Sequence, residues 1–293
     1  MESLLIKLLV FINNNIITFF SEKNKKLYIF DSPIYKGRVF LSPTKRQMKR
    51  HLSTVRDSDG FFTSLSKALK NIDGNICLDI GANLGYWSLA FNKYLEREKI
   101  IFSFEPEKLN MSHLSHNLKC EENITLLQIG LGSKIEDISL GIPEYTKNRG
   151  GEHAQNTGTV SVFNDRDNSP SRFTTVDLLL SSVTHVKEKV FLIKIDVEGF
   201  EYEVIKGMED CVRRDRPLII LEINPTTQLL AGYDLRNILM VFLNYNYKFY
   251  IPKPLDLRIN DSGIPNITLN MILCPEESVG EIEREMDYKE FKE

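Results

Sequence analysis

From Ile76 onward, the chain alternates short apolar runs of five or six residues with amphipathic segments of ten to fifteen residues. Such runs are typical of strands buried on both faces, and the segments between them are typical of helices that cover a parallel sheet. The pattern predicts an α/β domain with strands at 75–80, 99–105, 124–130, 189–196, 216–223, 247–251 and 267–274. Helices are predicted at 85–96, 107–119, 174–181, 200–210 and 227–244.

The end of this pattern carries information about the class of sheet. No clear helix separates the strands at 247–251 and 267–274, so we expect the sheet to finish in an antiparallel hairpin. A dinucleotide dehydrogenase instead repeats its βαβ half across a doubly wound sheet. The ending therefore disfavours a dehydrogenase.

The rest of the chain divides into segments that differ in residue composition. Residues 1–58 are expected to form an N-terminal attachment with a helix and short strands, and residues 59–275 the main domain. The segment 141–173 is rich in Gly, Asn and Ser, and we interpret this long insertion as a lid over a site. Residues 276–293 alternate acidic and basic side chains, which predicts a charged tail that is solvated or frayed.

The apolar run at 4–20 raises the question of targeting. Lys7 and the asparagines at 13–15 interrupt it, so it is poorly suited to span a hydrocarbon layer about 30 Å thick. Glu2 and the lack of a small-residue cleavage site argue against a secretion signal. We expect a helix packed on the domain or on a partner, with peripheral membrane contact as the alternative.

Charge and cysteine content exclude other classes. The net charge is −3 and the pI is about 6.0, so no basic field attracts a nucleic acid. The cysteines form no CxxC pair, which argues against a zinc knuckle or a disulfide framework. Reduced thiols and a cytoplasmic location are expected. The cysteines are Cys77, Cys120, Cys211 and Cys274.

The segment CLDIGANLGYW, residues 77–87, combines a strand end with an aspartate and two glycines. The carboxyl edge of an open α/β sheet is where ligands bind. Gly81 and Gly85 let the backbone turn sharply and approach a ligand, and the following helix directs its N–H groups at the same place. Asp79 needs a partner in this setting, and a ligand cation would supply one.

Glu105 follows Gly85 by twenty residues and ends the second predicted strand. An acid at this position can accept both hydroxyls of a ribose, which indicates an adenosine-bearing ligand. A dehydrogenase requires GxGxxG to seat a pyrophosphate, whereas this chain has GANLG with Asp79 upstream. That carboxylate repels phosphate and attracts the ammonium of an amino acid, so S-adenosylmethionine fits best.

Two other functions stay open at this point. A nicotinamide-dependent oxidoreductase is one, and a non-catalytic adenosyl-binding protein is the other. The glycine segment alone is also compatible with an ordinary strand, turn and helix with capping glycines.

Five segments together resemble the FkbM family of S-adenosylmethionine-dependent methyltransferases. They occur in order over about residues 60–274 and are CLDIGANLGYWSL, FSFEPEKLN, TTVDLLL, KIDVEGFEYEVIKG and LEINP. The resemblance implies a class I methyltransferase (Rossmann-like) fold with a mostly parallel seven-stranded sheet, helices on both faces and a reversed last strand. It also implies O-methylation of a hydroxyl on a sugar, glycan or related natural product. The resemblance also implies that the cofactor is bound by Asp79, Gly81, Asn83, Gly85 and Glu105.

The segment KIDVEGFE supplies the candidates for chemistry. Lys194, Asp196 and Glu198 lie on one side of an extended segment because strand side chains alternate. Asp196 is the leading candidate to contact the methionine portion and to polarise the acceptor hydroxyl, and Glu198 or Lys194 could replace it. Glu201 opens the next helix, where it could face substrate or simply cap the helix. We predict no metal, although these carboxylates could alternatively hold Mg²⁺ or Ca²⁺.

The remaining candidates are spread along the chain. His153 in the lid is a candidate catalytic residue, although a lone loop histidine is usually only solvated. Trp87 is expected to pack against a helix rather than to stack on adenine. The other cofactor candidates are Gly130 and Leu131, and the substrate candidates are Asn156, Gly158, Glu201 and Glu222.

Overall fold

The computed structural model describes residues 60–141, 170–182, 188–253 and 267–292, and also the backbone of three short strands before residue 43. The strands are β1 (Ile16–Phe20), β2 (Lys26–Asp31), β3 (Val39–Ser42), β4 (Ile76–Ile80), β5 (Ile100–Phe104), β6 (Ile124–Leu127), β7 (Gly130–Leu131), β8 (Glu136–Ile138), β9 (Ser171–Thr174), β10 (Val190–Ile195), β11 (Leu218–Ile223), β12 (Tyr247–Pro252), β13 (Leu269–Pro275) and β14 (Tyr288–Phe291). The helices are α1 (60–68), α2 (Tyr86–Tyr94), α3 (Lys108–Leu118), α4 (Val176–Ser182), α5 (Glu201–Lys206), α6 (Glu209–Asp215), α7 (Pro225–Ala231), α8 (Leu235–Leu243) and α9 (Val279–Glu285).

The central sheet has eight strands in the order β14-β12-β13-β11-β10-β4-β5-β6. Neighbouring strands from β11 to β6 are parallel, whereas β13 is antiparallel to both β11 and β12. Every residue of β4 and β10 is buried, as expected for central strands covered on both faces. The mostly parallel sheet with a reversed strand near its end is therefore confirmed.

Helices cover both faces of the sheet and bury two separate cores. Cys77 of β4 points to one face of the sheet, where it packs in a core that α1, α2, α3 and α9 cover. Ile76, Leu78 and Ile80 face the opposite core, which α5, α6 and α8 cover. A small sheet of order β7-β9-β8 lies outside the central one.

The charged C-terminal segment is not a solvated tail. Ile282 of α9 is fully buried and Met286 is nearly so, and β14 adds an eighth, antiparallel strand beside β12. Its apolar residues are too few and too widely spaced among charges to stand out in the sequence. The prediction of seven strands was wrong by this one strand.

Other expectations also change in detail. Residues 16–20 form β1 of a three-stranded antiparallel sheet, so at least this part of the apolar run 4–20 is not helical. The helix predicted at 200–210 divides at Gly207, and that predicted at 227–244 divides at Gly232, which has a φ of +74°. The interior of the predicted lid lies outside the described residues, and its end forms β9. In the described part of the chain, every helix is too short or too polar to cross a membrane.

Candidate functional site

Four adjacent strands end at one edge near the middle of the sheet: β11, β10, β4 and β5. Lys194 on β10 is directly beside Asp79 on β4 in the parallel register. The candidate residues that were scattered over more than a hundred positions of sequence are brought together here because parallel strands end at the same edge.

The turn after β4 is built so that it lies close to two neighbouring strands. The N–H groups of Gly81 and Ala82 donate to the carbonyl oxygen of Phe104, at 3.0 and 2.9 Å. Gly81 has a φ of +84°, and a Cβ there would collide with the backbone oxygen of Asp196. Gly85, with a φ of +88°, caps α2. The predicted glycine turn is confirmed, and both glycines have conformations that other residues rarely adopt.

Glu105 closes the turn from the side of β5. Its Oε2 accepts from the N–H of Asn83 at 2.9 Å, and its Oε1 accepts from the N–H of Glu107 at 2.9 Å. Asn83 itself has a positive φ of 51°, which directs its N–H toward the carboxylate. Burial raises the pKa of Glu105 to about 7, against the opposing effect of these hydrogen bonds. The carboxylate is thus oriented by the turn that follows β4.

Asp79 is turned into the protein rather than toward open solvent. It is 1% exposed and accepts a hydrogen bond from the Ser88 hydroxyl, which lies 2.7 Å from the hydroxyl of Ser103. Burial raises the pKa of Asp79 to about 6. The partner that this carboxylate needs is supplied by α2, so its contact with a ligand ammonium stays a prediction. Sequence reasoning missed Ser88, although a serine within the apolar stretch YWSLAF was a usable signal.

Lys194 is a fully buried cation at the end of β10. Its Nζ lies 3.4 Å from Oδ2 of Asp196, donates to the carbonyl of Ile195 at 3.1 Å, and lies 5.1 Å from the ring centroid of Trp87. Trp87 packs edge-on against Phe62 of α1, as predicted. The arrangement keeps one positive charge next to Asp196 and shields it from water.

Three carboxylates converge beyond Lys194. Asp196, Glu198 and Glu222 each place one oxygen within 4.8 Å of the other two. Glu198 has a φ of +51°, which is unusual for a residue with a long side chain. Burial together with the charge of Asp196 raises the pKa of Glu222 well above its ordinary value.

Glu201 does not belong to this group. It is 2% exposed, its Oε1 accepts from the N–H groups of Val197 and Gly199 at 3.2 and 3.0 Å, and its Oε2 accepts from the Tyr233 hydroxyl at 2.6 Å. Burial raises its pKa. These contacts brace the loop after β10, as in the capping interpretation, and its role toward substrate stays a prediction. Tyr233 was not found from the sequence.

The remaining candidates lie elsewhere. Gly130 and Leu131 form β7 at the small sheet, where a Cβ on Gly130 would collide with the ring of Phe173 and where Leu131 is buried. Both positions pack the protein, and their cofactor role stays a prediction. His153, Asn156 and Gly158 lie outside the described residues.

The residues at this edge fit S-adenosylmethionine. Gly81 has no room for a side chain in the turn, and a buried carboxylate, Glu105, ends the next strand, where a ribose diol is held in this fold. The acids at the end of β10 suit an ammonium and disfavour a diphosphate. The order of the sheet, its reversed strand and this turn define a class I methyltransferase.

A family model agrees with this class. The model described as "Methyltransferase FkbM domain" matches residues 79–249, which is more than half of the chain. The chain therefore belongs to the FkbM methyltransferase family, and S-adenosylmethionine is the methyl donor of such a domain. This match gives no support to the alternative that the protein is a nicotinamide-dependent oxidoreductase.

The chain is also similar to two curated methyltransferases and to a solved structure. The chain is 28% identical over 177 residues to "Methyltransferase sdnD" of Sordaria araneosa, which covers 51% of this chain and 66% of that protein. It is 27% identical over 153 residues to "Methyltransferase 1" of Beauveria bassiana, which covers 47% and 60%. The chain thus spans less than two thirds of the length of these curated relatives. A crystal structure of "Methyltransferase FkbM" from Methylobacillus flagellatus is similar at 15% identity with a TM-score of 0.41, over 69% of this chain and 44% of that one.

Proposed function

We propose that the protein is an S-adenosylmethionine-dependent O-methyltransferase that acts on a hydroxyl of a sugar, a glycan or a related natural product. The observation that carries this proposal is the position of Asp196, whose backbone abuts the Gly81 turn and whose carboxylate faces Glu222 and Glu198. One residue thereby joins the cofactor turn to a group of proton-accepting side chains. The choice of a sugar-like acceptor rests on the family resemblance.

The chain has distinct residues for the parts of the cofactor. Glu105 would accept the ribose hydroxyls, and the turn from Gly81 to Gly85 would lie along the adenosine. Asp196 and Asp79 would face the amino-acid end. When bound, S-adenosylmethionine supplies a methyl group that is electrophilic because it is attached to a sulfonium.

The residues beyond Asp196 have a different task. An alcohol that gains a methyl group must lose its proton, and a positioned carboxylate can take it as the new bond forms. Asp196, whose Oδ2 lies 3.4 Å from Nζ of Lys194, has a defined orientation for this role. The complete burial of the Lys194 ammonium strengthens its charge interaction with Asp196.

Cofactor binding is tested first. Glu105→Ala should weaken the binding of S-adenosylhomocysteine by about one to two orders of magnitude, because two ribose hydroxyls lose a charged acceptor. Isothermal titration calorimetry measures this, and Glu122→Ala, which removes an exposed carboxylate after α3, is the matched control. An unchanged dissociation constant in Glu105→Ala would refute the ribose assignment. A second titration of the wild-type protein uses NAD, and tight binding there would reverse the choice of cofactor.

The acceptor is tested by mass spectrometry. Glycan and small-molecule extracts are incubated with the purified protein and with methyl-labelled S-adenosylmethionine, and products are searched for one added methyl group on oxygen. The variant Asp196→Asn should lose the product while it keeps the cooperative unfolding transition of the wild-type protein. Transfer to nitrogen or carbon would contradict O-methylation, and full activity in Asp196→Asn would remove this residue from the mechanism.

A further inference from the structure

Asp196 and Glu222 each place a carboxyl oxygen within 4.8 Å of the other, and an oxygen of Glu198 lies within the same distance of both. Carboxylates this close repel one another when all are ionised, and two carboxyl groups can form a hydrogen bond with each other only when one of them carries a proton. Glu222 ends β11 and Asp196 follows β10, which are neighbouring parallel strands. The proximity of the two groups is thus a consequence of the sheet order and not of local sequence.

The surroundings decide which group carries that proton. Glu222 is partly buried beside Asp196 and Glu198, and this burial and both negative charges favour its neutral form. Asp196 has the Lys194 ammonium at 3.4 Å, which favours its ionised form. A neutral Glu222 would then be able to donate a hydrogen bond to the charged Asp196.

We propose that Asp196 and Glu222 share one proton and act as a pair that accepts the proton of the acceptor hydroxyl. The second half of this statement rests on the proposed function. The acceptor's O–H bond breaks, its proton moves to Asp196, and the electron pair left on oxygen forms the bond to the methyl carbon. The electron pair of the old bond to that carbon stays on sulfur. The pair then holds two protons and releases one to water before the next turnover.

Within the part of the chain that the structure describes, the charged groups around the pair are consistent with a single shared negative charge. Lys194 of β10 is the cation beside it, and Asp79 of β4, Glu198 after β10 and Glu201 of α5 are the acids that face it. Burial raises the pKa of both Asp79 and Glu201, and the charge of Asp196 raises each further. A second negative charge on Glu222 would add repulsion to this group, whereas a shared proton removes it.

The pair is tested by its titration in the cofactor-free protein, which requires no acceptor. Glutamate side chains are labelled with carbon-13 at the carboxyl carbon, and each resonance is followed against pH by NMR. The Glu222 resonance is identified by its loss in Glu222→Gln. In the wild-type protein we expect it to titrate at clearly higher pH than the exposed glutamates, and in Asp196→Asn we expect its midpoint to shift down.

Asp210→Asn is the matched control, because it removes a negative charge from the exposed face of α6 and should leave the Glu222 midpoint unchanged. A cooperative transition in urea denaturation shows that Asp196→Asn is folded. An ordinary midpoint for Glu222 in the wild-type protein overturns the pair, and so does a midpoint that Asp196→Asn leaves in place. Either result leaves the proposed methyl transfer standing, whereas failure to bind S-adenosylhomocysteine would remove that function without changing the titration.

Discussion

The acidic side chains at the sheet edge differ in their hydrogen-bond and ion-pair partners. Glu105 and Glu201 accept mainly backbone N–H groups and therefore fix the loops that carry those groups. Asp79 accepts from a serine of α2 and joins that helix to β4. Asp196 instead lies 3.4 Å from the ammonium of Lys194 and has a carboxyl oxygen within 4.8 Å of one on Glu222. At the scale of single residues, the first three shape the site and the last two are available for proton transfer.

The raised pKa of Glu105 predicts how the stability of the cofactor-free protein depends on pH. Its ordinary pKa of 4.5 in the unfolded chain rises to about 7 in the fold because the group is buried. Between these values the folded protein retains a proton that the unfolded chain has released. The contribution is therefore fully present below the lower value and is lost as pH rises through about 7, with a total of about 3 kcal/mol.

Urea denaturation of the cofactor-free protein across this pH range measures the effect. Glu105→Gln should remove this part of the pH dependence, because the amide does not titrate. The burial of Asp79 acts in an overlapping range, so the difference between the two curves is the relevant quantity. Parallel curves for the wild-type protein and the variant would show that Glu105 titrates normally.

At the scale of elements, the turn between β4 and α2 is the tightest contact of the site. It bonds to the end of β5 through two N–H groups, and the N–H of Asp196 donates to the carbonyl of Ile80 at 3.0 Å. Strand β10 thus lies against the turn with no space for a side chain at Gly81. A displacement of the turn that follows β4 would therefore also displace Asp196.

Gly81→Ala should therefore destabilise the protein by more than about 2 kcal/mol and abolish tight cofactor binding, because the new Cβ strains a positive φ and displaces β10. Chemical denaturation and titration with S-adenosylhomocysteine measure the two effects. Gly280→Ala is the matched control, since that glycine lies in α9 with open space around its Cβ position. It should be neutral or stabilise by up to about 1 kcal/mol. Equal stability of both variants would contradict the packing of the turn.

At the scale of the whole molecule, the last segment of the chain completes the sheet. The strand β14 pairs with β12, and α9 covers the core that α1 and α2 share. Residues after Pro275 are thus part of the folded domain. Strand β12 is consequently interior to the sheet, and the reversed strand β13 lies between β11 and β12.

Ile282→Ala tests this arrangement. The side chain is fully buried, so its truncation should lower the free energy of unfolding by about 2 to 5 kcal/mol. Arg284→Ala, an exposed position on the same helix, should change it by less than about 0.5 kcal/mol. If both variants unfold like the wild-type protein in a denaturant titration, the tail is solvated as its charge pattern suggests.

Local pattern determined much of this protein. The strands around Asp79, Glu105 and Asp196 were predictable because apolar runs, glycines and strand-end acids act within a few residues of one another. The same local logic identified the turn at Gly81 and the packing role of Trp87. It grouped Asp196 and Glu198 with Glu201, because these three are adjacent in sequence.

Only the tertiary structure decided the true third member of that group. Glu222 joins Asp196 because β10 and β11 are paired side by side, and Glu201 leaves it because a tyrosine and two loop N–H groups bind its carboxylate. The eighth strand likewise depends on pairing with β12. Strand pairing and burial join residues that are far apart in the chain, so the free energy that selects them is not encoded in any short stretch of sequence.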